Sequence, residues 1–189
     1  MISHKHEFIF IHAPRTGGSS IESQFDFSFR IDKEGSKHWT LSDWQKRLDP
    51  EIFDDYFKFG FVRNPWDFTI SKYKSAWFCR IGEKTGKSLK YFLNHYQKPK
   101  HEHGETFFEY FDPEKMDYIG RFEDRENDLN FISERIGVAL DVEIHIQKVQ
   151  AQGKYKHYTE YYDDETREIV AQKYARDIEY FGYKFGGEQ

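Results

Sequence analysis

Along the chain, short unbroken apolar runs alternate with amphipathic stretches, and each apolar run ends at a turn residue. Glu7 to Ala13, EFIFIHA, is such a run, closed by Pro14. A run this short, with no polar alternation, is the pattern of a strand buried on both faces of a parallel sheet. Gly17 and Gly18 follow, and SSIESQF from Ser19 predicts a helix capped by Ser19 or Ser20, with Glu22 in its first turn. The arrangement recurs downstream. Tyr56 to Val62 predicts a second strand, and Pro65 onward predicts a helix with Asn64 as its cap, since proline suits the first helical position. Two strand-turn-helix units imply a doubly wound α/β layer.

Between them, Leu41 to Leu48 reads as a short helix. Met116 to Phe122 and Val142 to Ile146 are candidate third and fourth strands, flanking a helix over Asp124 to Ile136. Residues Arg80 to Asp112 are polar, with weaker helical patterns in SLKYFLNHY and ETFFEYF, and read as an insertion over the sheet. A final helix over Asp163 to Ala175 precedes an aromatic tail, YFGYKF. With 189 residues the chain has the length of one well-buried domain, so residues 1–189 are expected to form a single domain.

Composition narrows the chemistry. Aromatic residues make up 19% of the chain, so rings must build much of the core. A net charge of -5 argues against a nucleic-acid coat, and any anion site must be local. Cys79 is the only cysteine, which excludes an internal disulfide and a cysteine-based zinc site and fits a reducing compartment. No apolar stretch approaches the roughly eighteen residues of a membrane span, so a cytoplasmic address is expected.

A glycine turn between a buried strand and a helix aims backbone N–H groups at one spot, which attracts a phosphate or sulfate. Gly17 and Gly18 permit close approach, Thr16, Ser19 and Ser20 add hydroxyls, and Arg15 adds a permanent charge. Ser19 stands where a triphosphate-binding loop needs lysine, and the dinucleotide pattern G-x-G-x-x-G is missing. Kinase, GTPase and dehydrogenase readings are therefore secondary.

IHAPRTGGSSIE and FVRNPWDFTISKY together resemble the sulfotransferases that use 3'-phosphoadenosine 5'-phosphosulfate, in particular the branch of carbohydrate sulfotransferases and many bacterial relatives. The first stretch is similar to the family's 5'-phosphosulfate loop P-K-T-G-G-T-S. The second is similar to its 3'-phosphate motif, with Arg63 and Ser71 at the family's eight-residue spacing. KHWTLSDW, YIGRFEDRENDLNFI and the stretch from His157 to Phe185 extend the likeness over most of the chain outside Arg80 to Asp112. It implies a P-loop-like three-layer α/β/α fold with a central, mainly parallel sheet of four to five strands.

It also implies the co-substrate 3'-phosphoadenosine 5'-phosphosulfate, no metal, and an acceptor hydroxyl on a carbohydrate or small metabolite. Arg15 and the N–H groups of Thr16, Gly17, Gly18, Ser19 and Ser20 would face the charge growing on the departing nucleotide. Arg15 replaces the family's usual lysine and keeps its charge without being a proton donor. Arg63 and Ser71 would hold the 3'-phosphate, although a structural ion pair is the other role open to Arg63. His38 matches a histidine common in this branch and is the expected base, with Glu22, Asp43 and Glu123 as alternatives. Lys37 beside it would steer an anionic substrate or be solvated.

Lys154, Lys156 and His157 would contact the nucleotide or form a solvated basic loop. His12 is a core or pocket-floor residue, and the histidines of HKH at His4 to His6 and HEHGE at His101 to Glu105 read as solvated loops rather than metal ligands. Trp39, Trp44, Trp66, Trp77 and Phe78 could line an acceptor site, though their spacing suits core packing. Acceptor choice is expected from the Arg80 to Asp112 segment. Two other functional classes stay open on these residues: a nucleotide-dependent phosphotransferase and a non-catalytic nucleotide-binding module.

Overall fold

A computed structural model describes residues 1–25, 36–75, 86–97, 103–143 and 156–187. Its contacts divide the chain into two compact units, Met1–Val62 with Lys100–Gln147, and Arg63–Pro99 with Lys148–Gln189.

The first unit carries the sheet: β1 (Ile2–Ser3), β2 (Phe8–Ile11), β3 (Phe57–Val62) and β4 (Tyr118–Arg121), in that spatial order. β2, β3 and β4 run parallel, and β1 adds an antiparallel edge. Every residue of β2 and β3 is buried, which explains the unbroken apolar reading of β2. The register sets Phe8 opposite Phe57 and Phe10 opposite Phe59, so their rings share one face. Phe59 lies 5.0 Å from Phe10 and 5.5 Å from Phe8, ring centre to ring centre. Onto this face pack Ile21 of α1 (Gly18–Glu22) and Leu129, Ile132 and Ile136 of α7 (Arg125–Ile136), the last three spaced as one helical stripe. Each such fully buried side chain stabilises the layer by about 1.5–3 kcal/mol.

The other face is covered from α6 (Phe107–Tyr110). Phe111, just past its end, lies against Gly60, where a Cβ would come within 2.4 Å of the ring. The sheet and the helices around it form the α/β class expected, with four strands, mostly parallel, among the described residues. α2 (Leu41–Gln45) starts with a capping box between Thr40 and Asp43, and α3 (Pro50–Asp55) starts with Pro50 after the Asp49 cap.

Lys58 is a charged residue inside an apolar strand. Its ammonium donates to the carbonyls of Phe53, Asp54 and Tyr56 at 3.1, 3.2 and 2.7 Å, and pairs with Asp117 at 3.2 Å. It thus caps the carboxyl end of α3, where carbonyls lack helical partners and a cation is favoured.

The second unit contains α4 (Pro65–Lys74), α5 (Leu89–His95), α8 (Asp164–Lys173) and α9 (Ala175–Phe181). Asn64 caps α4 as its position before Pro65 predicts, accepting from the Trp66 N–H at 3.1 Å. Ile70, Tyr73, Leu89 and Phe92 form its core, with Tyr158, Tyr161 and Tyr162 packed around them. Phe185 of the tail stands edge-on to Trp66 and Tyr162.

Several boundaries differ from the sequence reading. The cap of α1 is Gly17 in the left-handed region, with no side-chain bond, instead of Ser19 or Ser20. β1 and α3 carry too few residues to show a periodic signal. The proposed strand from Val142 begins instead in a turn, because the Asp141 carboxylate captures the Glu143 N–H at 2.8 Å; residues 144–146 lie outside the described set. The final helix breaks at Tyr174, and Tyr180 and Phe181 of the tail belong to α9. SLKYFLNHY and ETFFEYF do contain helices, α5 and α6. No helix among the described residues is long and apolar enough to cross a membrane.

Replacing Lys58 by Met keeps the aliphatic stem and removes the ammonium from three carbonyls. We expect a loss of about 2–3 kcal/mol, the scale of hydrogen bonds to a charged group, in urea unfolding. An unchanged midpoint would show that the cap contributes nothing.

Candidate active site

β2 leads through His12 and Ala13 into the glycine turn. Backbone φ is 63° at Arg15 and 80° at Gly17, with Thr16 between them outside the positive region. Alternating hand turns successive N–H groups to one side, the geometry of an anion-binding concavity. The Thr16 hydroxyl closes the turn by donating to the Ala13 carbonyl at 2.8 Å. Left-handed backbone at a non-glycine residue costs about 1–3 kcal/mol, so the rest of the loop must hold Arg15 there. A Cβ on Gly17 would lie 3.4 Å from the Phe122 ring and 3.6 Å from Arg125 Nε, so a buried guanidinium on α7 stands against the loop.

Gly18 faces a closer neighbour. A Cβ there would fall 2.2 Å from Cδ2 of His12, so the imidazole occupies the space a side chain would take. The His12 ring stacks on Phe10 with centroids 5.6 Å apart and meets His38 edge-on at 4.7 Å. Its Nδ1–H donates to Glu22 Oε1 at 2.9 Å, and Glu22, four residues after Gly18, shares that face of α1. The second Glu22 oxygen pairs with Lys37 at 3.2 Å, and Lys37 donates to Ser19 Oγ at 3.0 Å. His38 Nδ1 donates to the His12 carbonyl at 2.9 Å. One histidine therefore joins strand, loop, helix and the 3₁₀ turn Ser36–His38.

Burial lowers the His12 pKa even though the Glu22 carboxylate favours its charged form, so the ring is neutral at pH 7. Burial alone would raise Glu22, but the hydrogen bond from His12 and the Lys37 ammonium hold it down to about 2. Burial also brings His38 down to about 3, and the Lys37 ammonium acts the same way. His38 is thus a neutral imidazole with hydrogen on Nδ1 and its lone pair on Nε2.

Of the residues singled out from sequence, Arg15, Thr16, Gly17, Gly18, Ser19, Ser20 and His38 come together in the first unit. Arg63, Ser71 and Lys156 belong to the second, and Lys154 lies outside the described residues. Asp67 accepts from Arg63 Nε at 2.9 Å and pairs with Nη2 at 2.7 Å, fixing one edge of the guanidinium. Ser71 is half-buried in α4, and Lys156 is exposed. Asp43 is committed to the α2 cap and to His103 at 3.0 Å, Glu22 to His12 and Lys37, and Glu123 is exposed. Trp39, Trp44 and Trp66 are buried core residues; Trp77 and Phe78 lie outside the described set. No group of three or more possible metal ligands gathers among the described residues.

The joint roles of His12, Glu22 and Lys37, and the place of Arg125, escape sequence reasoning. The i to i+4 relation of Gly18 and Glu22 was the available signal, while Arg125 carries none.

Fold and loop together define an α/β protein with a glycine turn at the carboxyl end of a parallel strand and a neutral histidine beside it. A family model described as the sulfotransferase family matches residues 1–184, and the chain belongs to that family. Among curated proteins, an uncharacterized protein of Archaeoglobus fulgidus is 26% identical over 107 residues, covering 54% of this chain and 85% of its own. No solved structure matches the chain significantly.

Gly18→Ala must displace the His12 ring, and we expect a loss of about 1–3 kcal/mol on chemical unfolding, as for other overpacked sites. Stability should also depend on pH. The folded state refuses His38 a proton that the unfolded chain accepts below 6.5, so its contribution is full above 6.5 and lost as pH falls toward about 3. Glu22 acts with the same sign from 4.5 down to about 2. Between pH 6.5 and 5 the melting temperature of His38→Gln should fall less steeply than that of the unmodified protein; equal slopes would refute the neutral, buried His38.

Proposed function

We propose that the chain transfers a sulfuryl group from 3'-phosphoadenosine 5'-phosphosulfate to a hydroxyl of a carbohydrate or small-metabolite acceptor, by in-line displacement. The carrying observation is the tautomer of His38: its Nδ1–H is spent on the His12 carbonyl at 2.9 Å, which leaves Nε2 as a base. An alcohol is a poor nucleophile at neutral pH, and the Nε2 lone pair can take its proton once the negative charge of the bound phosphosulfate offsets the burial that lowers the basicity of His38.

His38 Nε2 takes the hydroxyl proton as the acceptor oxygen bonds to sulfur. The bond from sulfur to the bridging oxygen breaks, and its electron pair stays on the 5'-phosphate of the departing nucleotide. Arg15 and the N–H groups of Thr16 to Ser20 stabilise that charge. Arg63, oriented by Asp67, and Ser71 hold the 3'-phosphate, with Lys154 and Lys156 adding contacts to the nucleotide. In this reading residues 1–189 work as one cytoplasmic sulfotransferase domain, segment 80–112 selects the acceptor, and the chemistry uses no metal.

Calorimetric titration without metal should show binding of 3'-phosphoadenosine 5'-phosphate in preference to ATP and AMP, lost in Arg63→Ala. Binding of ATP alone, and only with Mg²⁺, would replace this reading by a phosphotransferase. With an acceptor found by screening, His38→Gln should lower kcat by about 10²–10⁴-fold, the usual worth of a general base, while product binding stays intact. Full activity in that variant would remove His38 from the role.

A further inference from the structure

Lys37 stands where a loop cation would be expected, though it lies outside the glycine turn in sequence. Its ammonium has three N–H donors. One goes to Ser19 Oγ at 3.0 Å, and the ammonium also forms an ion pair with Glu22 Oε2 at 3.2 Å that lacks the geometry of a hydrogen bond. No other hydrogen bond of the ammonium is found among the described residues, and the side chain is 42% exposed. Glu22 is nearly buried and held at its other oxygen by His12, so it tethers the ammonium beside the turn.

The tether also matters for charge. An ionised Glu22 in α1 would repel any anion entering the turn unless a cation offset it. Lys37 supplies that cation. By donating to Ser19, it also forces the Ser19 hydroxyl to direct its own hydrogen elsewhere and makes it a stronger donor. Arg15 has a permanent charge but sits in a constrained left-handed backbone, whereas Lys37 reaches the turn on a flexible four-carbon stem.

We propose that Lys37 is a direct ligand of the 5'-phosphosulfate group, giving an N–H not used by Ser19 to the group's oxygens and, during transfer, to the bridging oxygen that gains charge. This rests on the sulfotransferase reading above. Lys37 thereby restores the ammonium that the loop lacks with arginine at position 15, and Glu22 is its resting partner.

The test compares 3'-phosphoadenosine 5'-phosphate with adenosine 3'-phosphate, which lacks the 5' group, by calorimetry on the full chain. Lys37→Met should weaken the bisphosphate by about 10–100-fold, the loss of a hydrogen bond to a charged group, and leave adenosine 3'-phosphate unchanged. The unchanged ligand also reports that the variant is folded. Glu22→Gln combined with Lys37→Met separates donation from mere neutralisation. If Lys37 only offsets Glu22, the double variant regains normal binding and the proposal fails; if Lys37 donates, binding stays weak. Equal loss of both ligands in Lys37→Met would also overturn it, showing a structural role. Failure of the unmodified protein to bind the bisphosphate would instead overturn the sulfotransferase reading itself.

Discussion

The site depends on the contact between the His12 imidazole and the bare Cα of Gly18. A ring at the end of a buried strand occupies the volume of the missing side chain, so strand and helix approach more closely than any other residue at position 18 would allow. That approach puts Glu22 within reach of His12 Nδ1 and puts the His12 carbonyl within reach of His38. Burial then keeps both imidazoles neutral and makes Glu22 depend on its partners to stay ionised. Packing, tautomer and charge state thus follow from one contact.

The sheet supplies the rigidity this contact requires. Phenylalanines from β2 and β3 share one face, with Ile21 of α1 and the stripe of α7 packed onto it. α1 is five residues long, too short to hold its position by its own hydrogen bonds, so its placement comes from Ile21 in the core and Glu22 on His12. Lys37 is held at the turn by Ser19, and Arg125 of α7 stands behind Gly17.

Strands in this chain were legible where burial was two-sided. β2 read as an unbroken apolar run and β3 as a strand because both faces of the layer are covered, and Asn64 before Pro65 marked the start of α4 because capping is a local interaction. The edge pair Ile2–Ser3 was not legible, since two residues carry no period. Lys58 interrupts the apolar residues of β3, and its ammonium is consumed by carbonyls at the end of α3 that only the folded chain brings to it. The segment from Val142 had strand composition, but Asp141 imposes a local turn at its start.

Residue types and local order by themselves determined the α/β class, the glycine turn after a buried strand, the Arg63–Ser71 spacing that resembles a family motif, and a histidine between turn and motif, because each is written in contiguous residues. Tertiary structure decided what those residues do to one another: that His12 fills the space over Gly18, that Glu22 is held by His12 and Lys37, and that His38 keeps its lone pair on Nε2. The physical reason is that protonation state and hydrogen-bond direction are set by burial and by partners distant in sequence, and neither exists until the chain has folded.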